Sequence, residues 1–237
     1  MNTFEKLKNI ENALTHLCET FDRLLRGKGV SSKFIGSGIH TAKSILYELE
    51  KISLEIKNEE TDIEETNHVN KEDSINCYGL KQCLEVIEKR STIGCFTSIR
   101  NFKNALKVIK KIKTLESDVD MIVIYNTLFS HTEPKFNGVK LRKVAACFDL
   151  TYSCITDKAT AIYINILLHK PFDFENILMA NLCMNCILQN ELDYFVYIPS
   201  GDLSNFAANL YPHDEIICTC LVTLYICLNK IGDKVVK

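Results

Sequence analysis

The chain has 237 residues, 46% of them hydrophobic and 24% charged, with a formal net charge of -2. Nine Gly and four Pro are too few turn-formers for an all-β chain of this length, so the composition points to many helices. The near-neutral balance excludes a chain that is basic overall, and leaves any contact with nucleic acid or an acidic partner to local patches of charge.

The first element is an amphipathic helix. Phe4, Leu7, Ile10, Leu14, Leu17, Phe21 and Leu24 recur every three or four residues. This start is charged and has no apolar signal segment, so the expected location is nuclear or cytoplasmic, with the eleven Cys reduced. A second helical pattern covers residues 31–56, weakened at Gly36 and Gly38. Between Asn58 and Asp73 seven acids stand against one base with almost no apolar residue. Such a run cannot bury itself and reads as an acidic linker or loop, and it leaves the rest of the chain at about +4. Helices follow over 78–89 and 100–115.

The helix beginning at Arg100 carries the candidate binding residues. Arg100, Lys103, Lys107, Lys110 and Lys111 project within about a quarter-turn of one another, with Phe102, Ala105, Leu106, Val108, Ile109 and Ile112 opposite. No acid interrupts Arg100 to Lys113. The stripe is either an ordinary solvated face or a surface for phosphates or an acidic partner.

A second series begins at Asp118. Residues 118–129 are apolar enough for a core helix or a strand, and 131–138 form a turn-rich break. Five helices are then expected at 139–150, 153–169, 174–192, 200–210 and 213–230. The last two, joined at Tyr211–Asp214, have the shape of a helix-turn-helix pair. The second of them opens on His213, Asp214 and Glu215, whose acids suit the macrodipole and repel phosphate, so the pair reads as structural.

Cys183 and Cys186 form the one Cys-x-x-Cys of the 174–192 helix. Zinc takes four ligands, and redox pairs of this spacing sit at helix N-termini. These thiols lie well inside a helix whose expected cap is Asp173. Leu178, Leu182 and Cys186 form one i, i+4 row; Met179, Cys183 and Ile187 form another. Both thiols are therefore expected as small apolar groups of a helix buried on nearly all sides. The six His are scattered and no catalytic motif appears, so no enzyme activity, metal, cofactor or small-molecule substrate is expected.

Residues 139–230 follow the helix order of a cyclin-type repeat and resemble the core repeats of transcription factor IIB and its relatives. Residues 141–167 resemble the first two helices, 175–192 the Ala- and Cys-rich central helix, and 202–228 the last two. The first half resembles a more degraded copy: 14–22 and 31–51 parallel the first two helices, 75–89 the central one, and 100–113 closes the repeat. The resemblance implies an all-α fold of two five-helix cyclin-like repeats, 1–116 and 117–237. It implies a non-enzymatic scaffold or general factor of a nuclear transcription-initiation or replication-origin complex. Its partners would be protein subunits, with DNA phosphates met by the basic helix. Transcription factor IIB has an N-terminal zinc ribbon, whereas this sequence starts with a helix; the sixth subunit of the origin recognition complex has a similar paired fold without one. The alternative is a protein–protein interaction module, such as a divergent cyclin or an adaptor, without nucleic-acid contact. No membrane contact is expected, because the apolar run at 215–230 is about half the length of a membrane-spanning helix.

Overall fold

The computed structural model describes residues 2–25, 32–60, 77–91, 97–112, 114–130, 135–199 and 215–236. Among them are nine α-helices, one short 3-10 helix and no strand beyond a single bridge, so the fold is all-α. The helix expected at 200–210 and the acidic residues 61–73 lie outside the described residues.

Helices α1 (Thr3–Leu25) and α2 (Ser32–Glu60) form an antiparallel pair. Leu7, Ile10, Leu14 and Leu17 on α1 are buried, as are Ile45, Leu49, Ile52 and Ile56 on α2. Each set repeats at three or four residues, the spacing of one helix face. Lys6 near the start of α1 pairs with Glu55 near the end of α2 at 2.6 Å, which fixes the opposed directions. Helix α2 runs on through Asn58–Glu60, the first residues of the stretch expected as a linker. Each residue added to an existing helix fixes little and gains a hydrogen bond, so extending the helix costs little.

Helices α3 (Tyr78–Ser91) and α4 (Ile99–Lys111) follow. Helix α4 stops short of the expected end at 115 because Ile112 turns to extended backbone, its N–H still bonded to the carbonyls of Val108 and Ile109. Residues 118–129, ambiguous in sequence, form helix α5 (Asp118–Leu128). A capping box starts it: Ser117 Oγ accepts from Asp120 N, and Asp120 accepts from Ser117 N. Then come α6 (Gly138–Ala145), the 3-10 helix Ala146–Asp149, α7 (Ile155–His169), α8 (Asn176–Leu188) and α9 (Glu215–Val236).

Helix α8 runs through the centre of the core. Every residue from Leu178 to Leu188 is buried, chiefly against α7 and also against α4 and α5. The cap position belongs to Glu175, not to the expected Asp173. Glu175 is one of two non-glycine residues in the left-handed region among those described, at φ 49. Its carboxylate makes no cap bond and instead accepts from Arg90 Nη1 at 2.9 and 3.2 Å. Asn176, the first helical residue, reaches back to Phe172, accepting from its N–H at 3.0 Å and donating to its carbonyl at 2.7 Å.

The same amide chemistry anchors an extended segment. Val196, Tyr197 and Ile198 lie buried between α8 and α9, where peptide groups must find partners or lose free energy. Asn185 accepts from Val196 N at 2.8 Å and donates to Val196 O at 2.7 Å. Asn181 does the same for Ile198, at 2.9 and 3.1 Å. Asn229, from α9 on the other side, holds Tyr197 in the same way, at 3.2 and 3.1 Å. The remaining amide hydrogen of each goes to the carbonyl four residues back in its own helix. Each side chain therefore satisfies both donors and its acceptor.

Helix α3 closes this arrangement. A Cβ at Gly79 would overlap Asn229 Oδ1 and Phe195 O and lie 2.9 Å from Tyr197 N; one at Gly232 would overlap the Tyr78 ring. These glycines let α3 press onto α9 and the 195–197 backbone. Buried apolar residues from α1 to α9 form one connected core, continuous across residues 116 and 117.

Replacing Asn185 by Ala strips two buried backbone groups of their partners, and is expected to cost about 2–5 kcal/mol of unfolding free energy in urea titrations. The exposed Asn104→Ala serves as the control, expected within about 0.5 kcal/mol of the parent. Gly79→Ala is expected to destabilise by about 1–3 kcal/mol through overpacking against Asn229, measured the same way.

Candidate nucleic-acid interface

Helix α4 is built to hold one face rigidly and leave the other in solvent. Ser98 caps it, accepting from Asn101 N at 3.1 Å, and Lys110 and Lys111 in the last turn suit the negative end of the macrodipole. Phe102, Ala105 and Ile109 are buried toward α5 and α8, and the Phe102 ring meets that of Phe195 edge-on, 6.3 Å between centroids. Both ends are tied down. Thr97 Oγ1 and Asn101 Nδ2 donate to Leu128 O at the end of α5, at 2.9 and 3.2 Å. Gln189 Nε2 donates to Ile112 O beyond the other end.

Arg100, Lys103, Lys107, Lys110 and Lys111 are all exposed, so the structure brings every expected binding residue onto one outer face. Among the described residues no carboxylate pairs with Arg100, Lys103, Lys107 or Lys111. The stripe runs about 16 Å along the helix axis, the length of about five nucleotide steps. Such a row of cations meets a polyanion through charge and displaces its counterions.

The fold also gathers cations that the sequence keeps apart. Lys135, just before α6, and Lys140 and Lys143, along it, come beside His169 and Lys170 at the end of α7. Sequence reading missed them because the two groups are about thirty residues apart. The signal that was available is the acid-free run Lys135–Lys143 with four cations. The proposed turn between the last two helices lies outside the described residues; α9 begins at Glu215.

Cys183 and Cys186 sit in the middle of α8 with no solvent exposure, as the small apolar groups that the i, i+4 rows predict. Burial pushes both thiols up, Cys186 to about 12 and Cys183 well above its ordinary value. Among the described residues no three His, Cys, Asp or Glu side chains converge as a metal site. A cavity of about 20 Å³ between α3 and α8, lined by Cys83, Arg90, Thr97, Glu175 and Tyr197, has room for about one water. No helix among the described residues is long and apolar enough to cross a membrane. No protein-family model matches the chain, and comparisons with curated proteins and with solved structures find no match for it.

Alkylation of the native protein at pH 8 is expected to modify the exposed Cys154 and Cys220 while sparing Cys183 and Cys186 until denaturant is added. The thiolate is the reactive form, and burial holds the pKa of both core thiols far above that pH. Peptide mapping by mass spectrometry checks this; rapid labelling of Cys183 in the native state would contradict its place in the core.

Proposed function

We propose that this protein is a non-enzymatic helical scaffold that contacts DNA phosphates through the outer face of α4. In this reading the halves 1–116 and 117–237 are cyclin-like repeats, and the chain serves as a general factor of a nuclear transcription-initiation or replication-origin complex. The observation that carries it is the α4 face: five exposed cations and no acid on a helix whose opposite face is locked into the core. A rigid cationic row loses little side-chain and backbone freedom beyond its own lysine stems when it docks, which favours phosphate contact over a flexible tail. The burial of α8 supports the repeat reading for the second half, since the central helix of such a repeat is buried.

A second reading, a protein-interaction module without nucleic acid, is favoured by α2. Leu46, Tyr47 and Leu54 fall on one side of that helix and stay exposed, Tyr47 at 65%. Apolar side chains in water on one helix face are the surface a protein partner covers.

Titration of a short duplex DNA with salt separates the two. The DNA reading expects non-specific binding whose log affinity falls linearly with log salt, with a slope of about -4 to -5 from the five cations. Replacing Arg100, Lys103, Lys107 and Lys110 together by Ala is expected to flatten that slope by about 3–4. No binding at low salt would remove the DNA reading and leave the interaction module.

A further inference from the structure

The cations of α6 and α7 meet through a small backbone device. Phe136 and Phe172 form an antiparallel bridge. Asn137 N–H donates to Pro171 O at 2.7 Å, and Asp173 N–H to Lys135 O at 3.2 Å. This bridge lays the start of α6 against the end of α7. Lys140 and Lys143, one turn apart on α6, come close enough to His169, the last residue of α7, for their charges to act on it. Lys170 follows as the cap of α7, in the left-handed region at φ 45, and Lys135 lies on the facing arm of the bridge.

Three further observations mark the place as unfinished. Lys135, Lys140, Lys143 and Lys170 are exposed and His169 is half-buried, and among the described residues none of them has an ion-pair partner. Nothing lies within 4 Å of a Cβ built on Gly138, so the ground at the start of α6 is open. Partial burial, then Lys143 and Lys140, hold the His169 pKa below the usual 6.5, and the ring is neutral at pH 7. The acid of the bridge, Asp173, is exposed and makes no ion pair with these cations among the described residues. Like charges crowded together without a counter-charge repel one another, and a bound anion removes that repulsion.

We propose that Lys140, Lys143, His169 and Lys170 form a binding site for an oxyanion of the phosphate class, in which His169 takes up a solvent proton as the anion binds. The anion reverses the field at the imidazole, so the charged ring becomes the favoured form. Binding is therefore tighter below about pH 6 than at pH 8, because at the higher pH the proton must be drawn from a poorer supply. Two sources offer this chemistry, a phosphodiester backbone and a free phosphate monoester. The site shares an end of the bundle with the first turn of α4. There, Leu128 O holds Thr97 and Asn101, while Tyr125 packs on Phe172 at 4.5 Å and Phe129 on Phe174 at 6.1 Å.

Sulfate is the first probe, because its charge is constant over the pH range in which His169 titrates. The His169 imidazole resonance, assigned by its disappearance in His169→Gln, is titrated by NMR in sodium sulfate and in sodium chloride of equal ionic strength. The expected result is a pKa higher in sulfate by at least about half a unit, a shift lost in Lys140→Gln/Lys143→Gln. The same pKa in both salts for the parent protein overturns the site, whether or not the lysine variant folds. Phosphoserine and a duplex DNA, added separately, then distinguish the sources. A duplex that shifts the resonance in the parent and in the α4 quadruple variant assigns the phosphodiester; a shift with phosphoserine alone assigns the monoester. The sulfate measurement involves no DNA, so its failure and the failure of the α4 reading are told apart.

Discussion

The peptide groups of Val196, Tyr197 and Ile198 impose the constraint on which the packing depends. An extended backbone in a protein interior needs partners for every N–H and C=O, since each one left unpaired costs about 1–3 kcal/mol. In a sheet, neighbouring strands supply them. Here the segment lies among helices, whose own backbone groups are already used, so side-chain amides take the role of the neighbouring strands. Successive residues of an extended chain point their groups to opposite sides. The pairing follows that alternation: Val196 and Ile198 turn to Asn185 and Asn181 on α8, and Tyr197 turns to Asn229 on α9.

That pairing fixes more than three residues. Asn181 and Asn185 are one helical turn apart, so their spacing sets where the segment lies along α8. Asn229 then sets where α9 lies against the segment, and Gly79 sets how closely α3 approaches both. Because α9 also packs on α1, α2 and α7, the register chosen by a few amides is passed to most of the bundle. Apolar burial supplies the larger share of the driving force but is indifferent to small sliding; hydrogen bonds with fixed geometry are not. The charged surfaces inherit this rigidity. The charged face of α4 is held by its buried side and by Leu128 and Gln189 at its ends. The α6–α7 cations are held by the backbone bridge at Phe136 and Phe172.

Much of this was legible in the residues. The three-and-four spacing of Leu7, Ile10, Leu14 and Leu17 announces an amphipathic helix, and the alternation of lysines with Phe102, Ala105 and Ile109 announces which face of α4 is wet. The apolar rows around Cys183 and Cys186 mark a helix buried all round. In that same stretch the eye goes to the cysteines, yet the informative polar residues are Asn181 and Asn185. An Asn pair at i, i+4 inside an otherwise apolar helix is a signal of buried hydrogen-bonding work, but its partner could be any backbone in the chain. The helix or strand ambiguity of residues 118–129 was decided by the local Ser117–Asp120 capping box.

Local pattern thus determined the all-helical character, the position of nearly every described helix, the outward face of α4 and the burial of α8, because these depend on side chains one or two turns apart. Tertiary structure alone decided the rest. It placed Val196–Ile198 between two helices, sent the Glu175 carboxylate to Arg90 instead of to a cap, and carried Lys140 and Lys143 to His169. Each of these joins residues separated by from about eleven to more than eighty positions. Periodicity, which describes how a segment relates to itself, carries no information about which distant segment will supply its partners.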